Sequence, residues 1–207
     1  MARSGSKSSQ RWLDEHASDA YVKKAAADGY RSRAVYKLIE LNEKDRLIRS
    51  SSVILELGAA PGGWTQYLSR QSGASSVIVA SDILPMDGLP GVTFVQGDFT
   101  EQSTADNIAA TMENRRADLV LSDMAPNLSG VGVSDQARAM ALVELALEAA
   151  TTFLDVRGAF AVKVFQGEGF DEYMKQVRKR FKSVKVRKPA ASRARSREVY
   201  VVARNLI

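Results

Sequence analysis

Apolar, β-branched runs alternate with helix-period stretches along most of this chain. Residues 31–45 carry Val35, Leu38, Ile39 and Leu41 at near-helical spacing, which predicts a helix with Lys37 beside its buried stripe. Beyond it, short apolar runs predict strands at Val53–Leu57, Val77–Ser81, Val92–Val95, Leu119–Ser122 and Ala159–Phe165. The stretches Trp64–Ser72, Gln102–Asn114, Asp135–Leu154 and Asp171–Phe181 read as the helices between and after them. Two last strands are expected at Ser183–Arg187 and Val199–Ala203. Strands alternating with helices imply βαβ units, hence an α/β fold with a mostly parallel, doubly wound sheet covered on both faces. The final two strands are joined by Lys188–Arg197, too short for a crossover helix, so they should pair antiparallel. Connections are short throughout, so residues 31–207 read as a single domain. Residues 1–30 read as a basic N-terminal arm and a first helical segment.

A chain of 207 residues can bury a full α/β core. It has no cysteine, which excludes disulfides, zinc-thiolate sites and thiol nucleophiles. The single His16 cannot build a metal cluster alone, so no metal is expected. No apolar run approaches the roughly 20 residues that span a bilayer, and Met1–Arg11 lacks the apolar core of a signal peptide. The expectation is a cytoplasmic protein without a membrane partner, acting as a monomer. Charge changes the picture more. Net charge is +4 over residues 1–49, −9 over 50–177 and +10 over 178–207. An acidic middle between two basic ends points to a polyanion-binding face assembled from both ends of the chain.

In a doubly wound sheet, ligands bind outside the carboxyl ends of the strands. The first strand runs into Gly58-Ala-Ala-Pro61-Gly62-Gly63-Trp64. Its glycines let backbone approach a ligand, and the next helix presents its N-terminal amides. The spacing is not that of a dinucleotide-binding G-x-G-x-x-G loop, which disfavours a pyridine-nucleotide oxidoreductase. The second strand leads to Asp82, 24 residues after Gly58, placed to accept both ribose hydroxyls of a nucleoside. The third leads to Asp98 and Phe99. Asp98 suits an adenine amino group with Phe99 packed nearby, or else a helix N-cap.

The fourth strand ends at Ser122-Asp123 and the fifth contains Lys163, so the two side chains should lie at neighbouring strand tips. A lysine among Ala, Phe and Val is costly to bury unless paired or functional. The pair is either a structural ion pair or part of a catalytic group.

The strings SRAVYKLIEL, LELGAAPGGWTQYL, SDILPM, GDF, LSDMAPNLSG, FAVKVFQGEGFDEY and SRARSREVYVVA carry the argument further. In this order, from Arg11 onward, they resemble the FtsJ/RlmE family of ribosomal RNA 2′-O-methyltransferases. The resemblance implies a class I (Rossmann-like) methyltransferase fold with S-adenosyl-L-methionine as cofactor. The site would be built from Gly58, Pro61, Gly62, Gly63, Trp64, Asp82, Asp98, Phe99 and Asp123. The family's Lys-Asp-Lys-Glu tetrad falls on Lys37, Asp123, Lys163 and Glu198. Glu198 is the only acid among the last 30 residues and would otherwise read as a surface charge. Glu56 stands where such loops often begin with Asp, and Tyr36 at the aromatic position before the lysine.

The implied reaction is in-line attack of a ribose 2′-hydroxyl on the cofactor's methyl group, which asks the protein mainly for alignment and proton removal. Lys163 is the expected base or alkoxide holder. A lysine with an ordinary pKa of about 10.4 must be lowered to act as a base near neutrality. The substrate implied is 23S ribosomal RNA in the large ribosomal subunit, at an A-loop uridine. Arg11, Arg31, Arg33, Arg193, Arg195 and Arg197 are the candidate phosphate contacts. The competing readings are a transfer-RNA or cap 2′-O-methyltransferase and a non-catalytic RNA-binding ribosome-assembly factor. An intact tetrad argues against the second, and the absence of an added domain against the first.

Overall fold

The structure is a computed structural model that describes residues 19–50, 52–127 and 129–207. Arg11, His16 and the basic arm lie outside the described residues. In chain order the elements are α1 (Ala20–Ala27), α2 (Val35–Asp45), β1 (Val53–Leu57), α3 (Gly63–Gln71), β2 (Val77–Asp82), β3 (Val92–Gln96) and α4 (Gln102–Thr111). They continue with β4 (Ala117–Ser122), α5 (Gly132–Phe153), β5 (Leu154–Phe165), α6 (Phe170–Arg180), β6 (Phe181–Arg187) and β7 (Glu198–Leu206).

The described strands form one sheet of seven in the order β3-β2-β1-β4-β5-β7-β6. β1 through β5 pair in parallel, and β7 runs antiparallel between β5 and β6. The expected antiparallel pair is present, with one refinement: β7 also pairs with β5 and so carries Glu198 inside the sheet, one strand in from its edge. β1 reads Val-Ile-Leu-Glu-Leu and every residue is buried, as a central strand covered on both faces requires.

Alternation along the strands divides the core in two. Leu55, Leu57, Val120, Phe160 and Val162 face a layer containing Ile108 of α4, Val143 and Leu147 of α5 and Val177 of α6. Ile54, Ile78, Leu119, Ala161 and Tyr200 face Leu38 and Leu41 of α2 with Trp64 and Leu68 of α3. The helix expected over 31–45 begins only at Val35, because residues 31–34 form a turn that docks on the loop after β1. The helix expected to Asn114 stops at Thr111, with Glu113 and Asn114 both at positive φ. No described helix is long and apolar enough to cross a membrane.

Candidate active site

Strand order reverses between β1 and β4, the switch point at which an open α/β sheet leaves a crevice beyond its carboxyl ends. Gly58 and Asp123 flank it. The amides of Gly58 and Ala59 donate to Ser81 O at 2.9 and 3.2 Å, and the Asp123 amide donates to Leu57 O at 3.2 Å, so both loops hang from their neighbours' strands. Gly58 has φ +76°, and a Cβ there would sit 2.7 Å from Met124 Cγ and 2.9 Å from its backbone nitrogen. Only glycine fits. The loop ends in α3, whose first-turn amides have no intrahelical partner.

Asp82 is half-buried at the tip of β2. Its Oδ2 accepts the Ala60 amide and its Oδ1 the Leu84 amide, both at 2.9 Å. Those bonds fix the carboxylate while leaving lone pairs on each oxygen. Ile83 and Leu84 beside it are 60% and 59% exposed, an apolar platform at the crevice that sequence reasoning missed. Asp98 is exposed; its Oδ1 accepts the Thr100 amide at 2.9 Å and hydroxyl at 2.7 Å, which holds the carboxyl below its ordinary range. It does not cap α4, whose N-cap is Glu101. Phe99 lies edge-on to Phe153, centroids 6.2 Å apart, and packs on the core. Trp64 is 3% exposed: its ring packs on Tyr200 and its Nε1 donates to Ala34 O at 2.7 Å. Its side chain is a pillar under the loop, so what it offers a ligand is backbone.

Fixed carboxylates at Asp82 and Asp98, an apolar platform beside Asp82 and unspent helix amides make a set of acceptors and donors that fits an adenosyl group. No described group of three or more His, Cys, Asp or Glu is arranged to hold a metal ion.

The four tetrad positions come together beside this crevice, for a reason visible in strand register. Lys163 of β5 stands opposite Tyr200 of β7, and Phe165 opposite Glu198. Residues opposite in an antiparallel ladder share a face, as do residues two apart in one strand. Lys163, Glu198 and Tyr200 therefore all point toward α2, which carries Lys37. Lys163 Nζ lies 3.1 Å from Asp123 Oδ1 and donates to Asp123 O at 2.6 Å. Lys37 Nζ lies 2.7 Å from Glu198 Oε1 and 5.9 Å from the centre of the Tyr200 ring. Burial raises the Glu198 carboxyl, but the Lys37 charge and hydrogen bond, helped by Lys163, outweigh it and hold it below its ordinary value.

Two further residues stand at the site: Tyr200, which escaped the sequence reading, and Glu56, noted there only as a departure from the family's loop. Tyr200 is fully buried and donates its hydroxyl to Asp123 Oδ1 at 2.6 Å. Burial, then the Asp123 charge, lifts that phenol well above its ordinary pKa, so it stays a donor. Glu56, an acid inside the apolar run of β1, is 1% exposed and accepts the Thr65 hydroxyl at 2.7 Å. Burial pushes it up to about 8, with Asp123 and Asp82 contributing.

A cleft of about 470 Å³ opens over Lys37 and Glu198, lined also by Arg33, Arg193, Arg195 and Ser196. Its lining comes from both basic stretches of the chain, over 33–37 and 193–198. The 188–197 loop is clasped to α2: the Ala190 and Ala191 amides donate to Glu40 at 2.7 and 2.9 Å, and Arg33 donates to Ala191 O. Asp19 bridges Arg33 and Arg193. Arg197 is exposed and is not among the residues that line the cleft. Arg31 is not part of it: its guanidinium donates instead to carbonyls of Pro61, Asp87 and Gly88.

A doubly wound sheet with a closing antiparallel strand, a glycine loop at its switch point and a lysine–carboxylate cluster at adjoining strand tips define a class I methyltransferase architecture. Residues 30–206 match the FtsJ-like methyltransferase family. The chain belongs to that family. It is 58% identical over 204 residues to the ribosomal RNA large subunit methyltransferase E of Marinobacter nauticus, covering 99% of this chain and 98% of that protein. The protein of the same name from Pseudomonas aeruginosa is 56% identical over 204 residues, with the same coverage. Among solved structures, a Plasmodium falciparum protein described as a ribosomal RNA methyltransferase superimposes with a TM-score of 0.77 at 26% identity, covering 86% of this chain and 98% of that one.

Proposed function

We propose that this protein transfers a methyl group from S-adenosyl-L-methionine to a ribose 2′-hydroxyl of large-subunit ribosomal RNA. The observation that carries the reading is Lys163, a buried lysine tied to Asp123 beside the Gly58–Trp64 loop, with the Lys37–Glu198 pair on the same face. Family membership and relatives named for large-subunit ribosomal RNA methylation support it. The family resemblance points to an A-loop uridine as the nucleotide.

The sulfonium of the bound cofactor supplies an electrophilic methyl group. The chain would hold that cofactor with the Gly58–Trp64 backbone, Asp82, Asp98 and the Ile83 surface. Lys163 Nζ spends two of its four tetrahedral directions on Asp123 O and Oδ1, and a third on its own Cε. One direction would remain for a substrate oxygen. As an amine it would take the 2′-hydroxyl proton as that oxygen bonds the methyl carbon and the carbon–sulfur bond breaks with its electron pair left on sulfur; as an ammonium it would hold the developing alkoxide. Asp123, fixed by Tyr200, aims it either way. Lys37 and Glu198 would seat the target ribose, with Arg33, Arg193 and Arg195 of the adjoining cleft on flanking phosphates. Exposed Arg197 would add a phosphate contact outside that lining.

The test is Lys163→Ala. Calorimetry should find cofactor affinity within about twofold of the parent, while single-turnover methyl transfer to RNA falls by at least about 10³-fold, the scale on which a positioned acid–base group acts. Substantial residual transfer would sink the assignment of Lys163.

A further inference from the structure

The glycine loop does not stand alone: it is seated on residues 31–34, the turn before α2. Arg31 donates through Nη1 to Asp87 O at 2.8 Å and through Nη2 to Gly88 O at 3.2 Å, with Nη1 also 3.4 Å from Pro61 O. One guanidinium thus joins the loop after β1 to the loop after β2. The Arg31 amide donates to Gln66 Oε1 of α3 at 2.6 Å. The turn's Ala34 carbonyl accepts Trp64 Nε1 at 2.7 Å. The approach is close. A Cβ at Gly62, where φ is +102°, would lie 2.8 Å from both Arg31 Nη1 and Met86 Sδ, and a Cβ at Gly63 would lie 2.9 Å from Ser32 Cβ.

The planar five-donor fork suits three carbonyls on two loops; a lysine ammonium on a flexible stem does not reproduce it. A guanidinium spent on backbone oxygens has less to offer a phosphate. Backbone carbonyls of two loops that flank a ligand crevice are the groups whose spacing sets that crevice's width.

We infer that Arg31 is a positioning residue of the methyl-donor site, a strap that holds the Gly58–Trp64 loop against the 85–90 loop, and not a contact to RNA phosphate. The inference rests on the reading of that loop as the donor's seat. The strap turns directly into the RNA cleft, since Arg33, Ala34 and Lys37, two, three and six residues later, line it. Donor and substrate therefore share one short segment as a wall.

The experiment compares Arg31→Ala and Arg31→Lys with the parent in three readouts. Hydrogen exchange of amides 58–64 and 83–90 is followed without any ligand. Affinities for S-adenosylmethionine and S-adenosylhomocysteine are measured by calorimetry. RNA affinity is measured against salt. Strap function predicts faster exchange in both loops, donor affinity weakened roughly tenfold in both variants, as for hydrogen bonds from a charged donor, and an unchanged salt slope. It also predicts a raised KM for donor with kcat little changed. The inference is overturned by unchanged donor affinity, or by a salt slope that drops by about 1 in the Ala variant and recovers with Lys, the mark of a phosphate contact. A parent protein that binds no S-adenosyl ligand would instead defeat the donor-site reading, while the exchange arm would still report on the strap.

Discussion

Tyr200 and Lys163 share one acceptor: Asp123 Oδ1 takes the phenol hydroxyl at 2.6 Å and lies 3.1 Å from the lysine ammonium. A single carboxylate oxygen thus links the core of the sheet to the Lys163 ammonium. Tyr200→Phe keeps the packing against Trp64 and removes only the hydroxyl. A buried hydrogen bond to a charged acceptor is worth about 1.5–3 kcal/mol, so the transfer rate should fall roughly 10- to 100-fold. Donor affinity should hold. A single-turnover rate equal to the parent's would show that Asp123 is positioned without Tyr200.

Glu56 makes stability depend on pH in an unusual direction. Its pKa rises from an ordinary 4.5 to about 8 on folding. Between those values the native state keeps a proton that the unfolded chain has lost, so stability falls as pH rises through that window. Below about 4.5 the effect vanishes, and above about 8 it is complete. Glu56→Gln retains an acceptor for Thr65 and does not titrate. Urea denaturation should show the variant gaining on the parent by several kcal/mol between pH 5 and pH 8. Parallel pH profiles for the two proteins would refute the buried neutral carboxyl.

Asp45 at the end of α2 ties that helix to β6. Arg187 donates to its two carboxylate oxygens at 2.7 and 2.8 Å, and only 2% of the Asp45 side chain is exposed. The Arg187 hydrogen bond holds its carboxyl below the ordinary range despite burial. Arg187→Met leaves that charge without its main partner and should cost about 3 kcal/mol near neutral pH. Because the native pKa is lowered, the pair's contribution is present above the ordinary carboxylate pKa of about 4 and fades as pH falls through the native value. The cost of the variant should fade with it in thermal melts at pH 7 and pH 3.

Much of the fold was legible because its signals are local. The apolar runs of β1, β2, β4 and β5 read as sandwiched strands, and the short 188–197 connection dictates antiparallel pairing. The tetrad was half legible. Asp123 announces itself as a charge at the end of an apolar run and Lys163 as one inside such a run, but Glu198 does not: it follows an arginine-rich loop, and only the insertion of β7 beside β5 sets it against Lys37. Tyr200 could have been found from period two, two residues after Glu198 on the same face. Arg31 and Arg33 look equivalent in sequence. Their separation into a loop strap and a cleft wall depends on which carbonyls the fold brings within reach, and one residue's chemistry does not encode that.

The cleft over Lys37 should contribute a measurable electrostatic share of RNA binding. Arg195→Ala is expected to weaken affinity for RNA and to reduce the slope of log K against log salt by about 0.7–1, the value of one phosphate contact. The loss should be similar across sequences, because a phosphate contact carries no base identity. Fluorescence anisotropy over a salt series measures both quantities. An unchanged slope would place the RNA elsewhere.

The central claim is tested most directly by incubating the protein with labelled S-adenosylmethionine and either undermethylated large ribosomal subunits or free RNA, then mapping the modified nucleotide. The account predicts label on a ribose 2′-oxygen of large-subunit ribosomal RNA, at an A-loop uridine. Label on transfer RNA but not on the subunits would contradict the substrate, and label on a base or on protein would contradict the reaction.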